Sequence, residues 1–386
     1  MRFLHTADWH VGKPLRGRSR MDEYAKALEQ VAGIAVEGKV DVVLVAGDVF
    51  DSPAPPPEAE KIVYDFLSRL LPHRIACVVI AGNHDHPKKL GALASLLEGL
   101  RIYVRPEVRP PREGGVVRVP SRDGTEEAAI AVLPFVPERR VVDACAVMDA
   151  EHKWFETYKQ RIEEILAALA KDLPAGSVKI ALAHLLVEGA RVGTGERELH
   201  LGEIYGVDPQ QLPSNVQYIA LGHLHRPQEI LAPAKTRYPG SLIELDFGEQ
   251  DQEKSVVVLD AQARRPPGIE LVGVTAGRRL RTVEGTLDDL QRLAGEKSSD
   301  YLRVRVKAEA PTPGLAERVK ELLPNALDVS VDHPRDGGQT QTERGKGRGK
   351  LAPAQLFAAY YAYRHQSPPP AELQQLFDQV HEEAAG

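Results

Sequence analysis

"YIALGHLHRP", residues 218–227, carries an apolar run into a glycine and then presents two histidines one residue apart, His223 and His225. The run is continuous rather than alternating, the pattern of a strand covered on both faces. The same form recurs in "RFLHTAD" (2–8), "DVVLVAGD" (41–48), "IACVVIAGNHD" (75–85) and "SVKIALAH" (177–184). Each reads as a buried strand of about six residues closing on small or polar residues. Between them, "EAEKIVYDFLSRLL" (58–71) puts Ile62, Val63, Phe66, Leu67 and Leu70 on one helical face. "KKLGALASLLEGL" (88–100) and "FETYKQRIEEILAALAKDL" (155–173) are also helical by period. Strands alternating with helices predict an α/β layered fold over residues 1–265.

The five strands end in metal-ligand residue types. Asp8 and His10 follow the first and Asp48 the second; Asn83 and His84 follow the third, His184 the fourth, and His223 with His225 the fifth. In an open α/β sheet ligands bind beyond the carboxyl ends of the strands, so these residues are expected to converge. The i, i+2 pairs Asp8/His10 and His223/His225 face one side if the chain there stays extended. Any one Asp or His at a strand end is more often a cap or a satisfied polar group; a glycine-flanked set of five is not a coincidence of that kind. The donors are nitrogen and oxygen without thiolate, which suits Mn2+, Fe2+ or Zn2+ and, for the oxygens, Mg2+. They are too many for one tetrahedral site and about right for two metals sharing a carboxylate. Two divalent ions bring more charge than Asp8 and Asp48 neutralise, and the excess attracts phosphate. Such a pair stabilises the attacking and the leaving oxygen of an in-line displacement. His5 lies on the opposite strand face and reads as structural.

The remaining sequence sets bounds. With 386 residues, 42% hydrophobic, the chain can bury one large core and smaller domains. No apolar run approaches the ~20 residues of a membrane span, and polar His5, Thr6 and Asp8 argue against a secretory leader. Cys77 and Cys145, both in apolar stretches, suit reduced core thiols and a cytoplasmic setting. A net charge of −6 excludes a whole-surface nucleic-acid binder and leaves room for a local basic stripe. "GKPLRGRSR" (12–20) supplies one: Lys13, Arg16, Arg18 and Arg20 sit just past His10, either as phosphate contacts or as a solvated basic loop. After "RRPPG" (264–268) a small α+β domain is expected over 268–335, then a flexible linker over 336–350. Two amphipathic helices follow over 351–386. They carry Leu356, Phe357, Tyr360 and Tyr361, then Leu373, Leu376 and Phe377; these faces either dock on a partner or pack back on the chain.

At "DWH", "GDVFD", "GNHD", "AH" and "GHLH", in that order, the chain resembles the calcineurin-like metallophosphoesterases. "FLHTADWHVGKPL", "VAGDVFDSPAPP", "YIALGHLHRPQ" and "YPGSLIELDFGE" are similar to the SbcD-type DNA nuclease subunits, bacterial counterparts of the Mre-type double-strand-break nucleases. The resemblance implies a layered β-sandwich core flanked by helices, a small α+β capping domain and partner-binding C-terminal helices. It implies one metal held by Asp8, His10, Asp48 and His225, and a second by Asp48, Asn83, His184 and His223, with Mn2+ preferred and Mg2+ the other candidate. It makes His84 the group that approaches the scissile phosphate, paired with Asp51, whose carboxylate would fix the imidazole tautomer. Asp51 otherwise reads as a helix cap. The resemblance further implies DNA as substrate, at ends and hairpins, in repair and recombination. It names an SbcC-type SMC-like ATPase as partner and a homodimer, formed near 58–71 and 88–100, within a heterotetramer. A two-metal phosphodiesterase or phosphatase for small or protein substrates is the competing enzyme reading, and a non-catalytic scaffold for the ATPase the competing non-enzyme reading.

Overall fold

The computed structural model describes residues 1–147, 157–193, 206–294, 298–308 and 314–332, with short stretches at 357–358, 361, 369–370 and 373–377. Two compact units are distinguished: Met1–Lys307 with Thr312–Asp332, and Ala308–Pro311 with His333–Gly386.

In the first unit the chain lays down β1 (Arg2–Thr6), α1 (Met21–Glu37), β2 (Val42–Val45), α2 (Pro57–Leu70) and β3 (Ala76–Ile80). It continues through α3 (Pro87–Leu90), α4 (Ala94–Glu98), β4 (Ile102–Arg105), β5 (Val116–Pro120), β6 (Glu127–Leu133), α5 (Val141–Val147) and α6 (Tyr158–Lys171). Then come β7 (Val178–His184), β8 (Leu186–Val187), β9 (Gly206–Val207), β10 (Tyr218–Gly222), β11 (Gln228–Ile230), β12 (Lys235–Tyr238), β13 (Ser255–Asp260) and β14 (Gly268–Gly273). One six-stranded sheet has the order β14-β13-β1-β2-β3-β4 and another the order β11-β12-β10-β7-β6-β5. β1 to β4 run parallel, as do β6, β7 and β10. The mixed α/β sandwich is the expected one.

The apolar runs are continuous because both sheet faces are covered. Phe3, Leu44, Val78, Ile80, Ile130, Leu182, Tyr218 and Leu259 fill the space between the sheets. The outer face of the first sheet is sealed by α1 and α2, through Tyr24, Leu28, Val31, Phe66 and Leu70. The outer face of the second is sealed by α6, through Ile162, Ile165, Leu166 and Leu169. Thr157 begins α6 with a capping box: its hydroxyl accepts from the Gln160 N–H while the Gln160 side chain accepts from the Thr157 N–H. His5 is locked in the intersheet core, accepting from the Tyr218 hydroxyl at 3.0 Å and donating to the Leu221 carbonyl at 3.1 Å, in keeping with a structural role.

Two expectations are corrected here. "RRPPG" is not a domain boundary. It turns the chain between β13 and β14, which pair antiparallel from Asp260↔Gly268 to Ser255↔Gly273, so Gly268–Gly273 is an edge strand of the core sheet. The small α+β part starts after it, with β15 (Leu280–Gly285), α7 (Leu287–Ala294), β16 (Tyr301–Lys307), α8 (Leu315–Leu322) and β17 (Ala326–Asp332), and it belongs to the same compact unit as the sandwich rather than standing apart as expected. Its three strands form a parallel sheet in the order β15-β16-β17. The helix expected over 88–100 is broken into α3 and α4. Gly91 ends α3, and a Cβ there would press on the Pro106 ring at 3.0 Å, so the site that favours glycine is also a poor place to continue a helix.

The linker expected over 336–350 lies outside the described residues, as do Leu356 and Tyr360. In the second unit Phe357 stacks on Phe377, ring centroids 4.3 Å apart and 7° from parallel, and meets Tyr361 at 6.2 Å. Leu376 is exposed there, while Leu373 is partly buried. Among the described residues no helix is long and apolar enough to cross a membrane.

Candidate metal centre

The carboxyl ends of β1, β2 and β3 in one sheet and of β7 and β10 in the other meet at one edge of the sandwich. The chain does not stay extended there, as the pairing of Asp8 with His10 and of His223 with His225 had assumed. Asp8, His10 and Asp48 adopt left-handed backbone, with φ of 51°, 47° and 50°, and His223 has φ 119°. Such conformations are costly for residues with a Cβ and persist only where the surroundings fix them. Here the loops fix each other. The Asp8 and His10 N–H groups donate to the Gly47 and Asp48 carbonyls, each at 3.0 Å, and the His223 N–H donates to the Asp8 carboxylate at 3.0 Å. Gly82 and Gly222 permit the approach: a Cβ on Gly82 would collide with the Asp48 carboxylate, and one on Gly222 with the Ala46 carbonyl.

The result is a buried cluster. Asp8, His10, Asp48, His184, His223 and His225 are each 3% exposed or less, and Asn83 is partly exposed at its edge. Asp48 Oδ2 lies 3.5 Å from His10 Nε2 and 3.6 Å from His184 Nε2. Asn83 Oδ1 lies 3.0 Å from both His184 Nε2 and His223 Nδ1. His225 Nε2 is 3.1 Å from His10 Nε2. Two triads of donor atoms, from His10, Asp48 and His84 and from Asp8, Asp48 and His184, each fit within 4.8 Å.

Electrostatics show what this arrangement asks for. Burial holds the His10 and His184 imidazoles below their ordinary value, so both are neutral near pH 7. His184 donates through Nδ1 to the Ala46 carbonyl at 2.7 Å, which leaves a lone pair on Nε2 facing the oxygens of Asp48 and Asn83. Burial also works against the Asp48 anion, but the charge of His184 and His84 in their protonated forms and the His84 N–H outweigh it and hold the carboxyl below its usual range. The Nε2 lone pair of His184, the amide oxygen of Asn83 and the ionised Asp48 carboxylate thus point at one another, an arrangement that a divalent cation relieves. The set of imidazole nitrogen and carboxylate or amide oxygen suits such a cation.

The structure redistributes the other expected site residues. His84 is near the cluster, its ring edge-on to His10 at 4.5 Å. Its Nδ1 donates to the main-chain carbonyl of Asp51 at 2.8 Å, whereas the Asp51 carboxylate is 3.9 Å away. The tautomer of His84 is therefore set by backbone, not by the carboxylate as expected. Nor does Asp51 cap α2, whose N-cap is Pro56. Its Oδ1 instead stands 3.5 Å from His10 Nδ1 and 3.9 Å from Lys13 Nζ. The basic loop is also corrected. Arg20 is buried, paired with Glu23 at 2.7 Å and bonded to the Glu244 carbonyl, so it has no free surface for a phosphate. Arg16 lies between Asp246 at 4.0 Å and Asp328 of β17 at 3.5 Å. Arg18 stays exposed with its guanidinium 5.3 Å above the Tyr301 ring. The loop is a strap between the core and the small domain, pinned by Leu15 packing on Phe247, Leu280 and Tyr301.

Three groups were missed. Asp85 accepts from the N–H groups of Gly82, Phe50 and Val49, tying the loops of Asp48 and Asn83 together; burial and the neighbouring Asp48 push its carboxyl up to about 7. Phe135 stacks on His223, 13° from parallel, and donates its N–H to the Ala81 carbonyl at 3.0 Å. Glu249 lies behind His225. Its place at the end of "YPGSLIELDFGE" was the one signal in sequence.

With this geometry the comparisons agree. Residues 1–227 match the family model described as calcineurin-like phosphoesterase, and residues 276–365 match one described as type 5 capsule protein repressor C-terminal domain. The fold is thus that of the calcineurin-like phosphoesterases. Three curated relatives narrow it, each named as the SbcD component of the nuclease SbcCD. The protein from Bacillus subtilis is 35% identical over 72% of this chain and 71% of its own length. That from Rhodobacter capsulatus is 34% identical over 92% and 91%, and that from Staphylococcus epidermidis 26% identical over 89% and 90%. The chain belongs to the SbcD-type nuclease subunits of the calcineurin-like phosphoesterases.

Proposed function

We propose that this chain is the nuclease subunit of an SbcCD-type complex and hydrolyses DNA phosphodiester bonds, with two Mn2+ ions in the cluster. The observation that carries the reading is the meeting of buried imidazole nitrogens of His10, His184 and His223 with the Asp48 and Asn83 oxygens at 3.0–3.6 Å. Asp8, His10, Asp48 and His225 would hold one ion, and Asp48, Asn83, His184 and His223 the other. Two divalent ions supply Lewis acidity and positive charge for in-line displacement at phosphorus.

The chain's own groups do the rest. Asp85 keeps the loops carrying Asp48 and Asn83 in register. His84, with Nδ1 committed to the Asp51 carbonyl, has Nε2 left for substrate; in the imidazolium form, with both ring nitrogens protonated, Nε2 donates a proton to the leaving oxygen or stabilises charge on the phosphate. Lys13, partly exposed beside Asp51, and exposed Arg18 are the strap residues left to meet a DNA backbone. The small domain, from residue 280, caps the core. The segments around Phe357 and Leu373–Phe377 dock on the coiled coil of the SbcC-type ATPase, and the outward sides of α2 and α4, where Tyr64 and Leu96 are exposed, form a homodimer. A Mn2+-dependent cleavage assay on blunt, hairpin and single-stranded DNA, with and without the ATPase, tests the reading. Cleavage of DNA that needs Mn2+ and is stimulated by the ATPase is expected; turnover confined to small phosphodiesters or phosphoproteins would replace it with the phosphodiesterase reading.

A further inference from the structure

His225 Nδ1 donates to Glu249 Oε1 at 2.8 Å, and Glu249 is fully buried. The other carboxylate oxygen, Oε2, accepts from the Lys254 ammonium at 2.7 Å and from the Leu245 N–H at 3.1 Å. Lys254 is itself buried and also donates to the His225 carbonyl at 3.0 Å. A neutral imidazole carries one N–H, so a proton held on Nδ1 leaves Nε2 as a lone pair. That Nε2 is the atom 3.1 Å from His10 Nε2.

We propose that Glu249 is a positioning residue for the metal centre: it locks His225 in the Nδ1–H tautomer so that Nε2 faces the cation, while Lys254 and the Leu245 amide fix which carboxylate oxygen meets the ring. The proposal rests on the two-metal reading above. Carboxylates behind metal-ligating imidazoles act in this way and also strengthen the ligand. The donors on Oε2 give the lock a particular failure mode. In E249Q the amide oxygen is required on the Lys254 side, which turns the NH2 group toward His225. Nδ1 must then accept, and the ring proton moves to Nε2, where it opposes a cation.

The test uses the full chain labelled with 15N-histidine, without metal, at a pH where His225 is neutral. Two-bond 1H–15N spectra report which ring nitrogen carries the proton, and titration calorimetry with Mn2+ reports binding. Wild type should show Nδ1–H on His225, and E249Q should show Nε2–H. E249Q should bind one of two Mn2+ ions roughly 10–100-fold more weakly and the other unchanged. A loss of stability alone does not move a proton between ring nitrogens, so a merely structural Glu249 gives an unchanged tautomer. Wild type with Nε2–H on His225 overturns the proposal even if E249Q fails to fold, and so does an E249Q protein with wild-type tautomer and isotherm. Wild type that shows Nδ1–H yet binds no Mn2+ overturns the two-metal reading, and the fault then lies there and not in the tautomer lock.

Discussion

Asp48 sits where both donor triads overlap, and the imidazoles beside it approach from different sheets: His10 after β1 and His184 at the end of β7. In D48N the shared anion is gone, and two cations at short range repel without it. Metal analysis of D48N should find less than one Mn2+ per chain against two for wild type; two ions at full occupancy would remove Asp48 from the bridging position. His84 is a different case, since its Nδ1 is engaged with backbone. H84Q should keep both ions and lose activity by about 10²–10⁴-fold, the usual worth of a general acid. An ion missing from H84Q would make it a ligand instead. The residue types at the strand ends were legible because metal ligands are few in kind and stood next to glycines. Glu249 and Asp85 were not, because an acidic residue in a loop becomes a buried acceptor only through contacts distant in sequence. Arg20 misled for the same reason, with its partner Glu23 one helical turn away but its second partner, the Glu244 carbonyl, far along the chain.

The buried strands were read from their composition, since parallel strands covered on both faces need continuous apolar runs. The turns after them were not. Left-handed backbone at Asp8, His10 and Asp48 is imposed by loop-to-loop hydrogen bonds, and no local signal announces it. Gly222 is where this packing is tightest. G222A drives a Cβ into the Ala46 carbonyl and should cost about 1–3 kcal/mol of stability, the usual range for overpacking, and lower metal occupancy along with it. Urea denaturation with parallel metal analysis reads both, and a variant with wild-type stability and occupancy would show that the strand end has room to move. The boundary of the small domain was misplaced because "RRPPG" carries the same proline and glycine signature whether it links domains or turns a β13–β14 hairpin. Beside the apolar cluster of Leu15, Phe247, Leu280 and Tyr301, the seam between core and small domain holds a buried polar contact. Glu23 pairs with Arg20, accepts from the Tyr301 hydroxyl at 3.1 Å, and accepts from the Arg278 N–H at 2.8 Å. E23A strands the buried Arg20 guanidinium and should lower stability by about 3–5 kcal/mol. A loss below about 1 kcal/mol by the same denaturation, the range of an exposed pair, would mean that the seam does not depend on this contact.

Two sheets of parallel-rich strands bring their carboxyl ends to one edge, and residues from position 8 to position 225 meet there as a consequence of topology. The C-terminal stretches belong to a unit distinct from this sandwich. Truncation after residue 340 should therefore leave the melting temperature of the core and its Mn2+-dependent hydrolysis of bis-p-nitrophenyl phosphate intact, and abolish co-purification with the coiled-coil ATPase. A large fall in melting temperature would instead place the tail against the core, and retained co-purification would place the ATPase contact elsewhere. The central claim, that these ligands hold two ions sharing Asp48, has a direct measurement: anomalous diffraction at the manganese edge from crystals grown with Mn2+. The account predicts two peaks about 3.5–4 Å apart, one among Asp8, His10 and His225 and the other among Asn83, His184 and His223, with the Asp48 carboxylate between them. A single peak, or two peaks with Asp48 bound to only one, would contradict it.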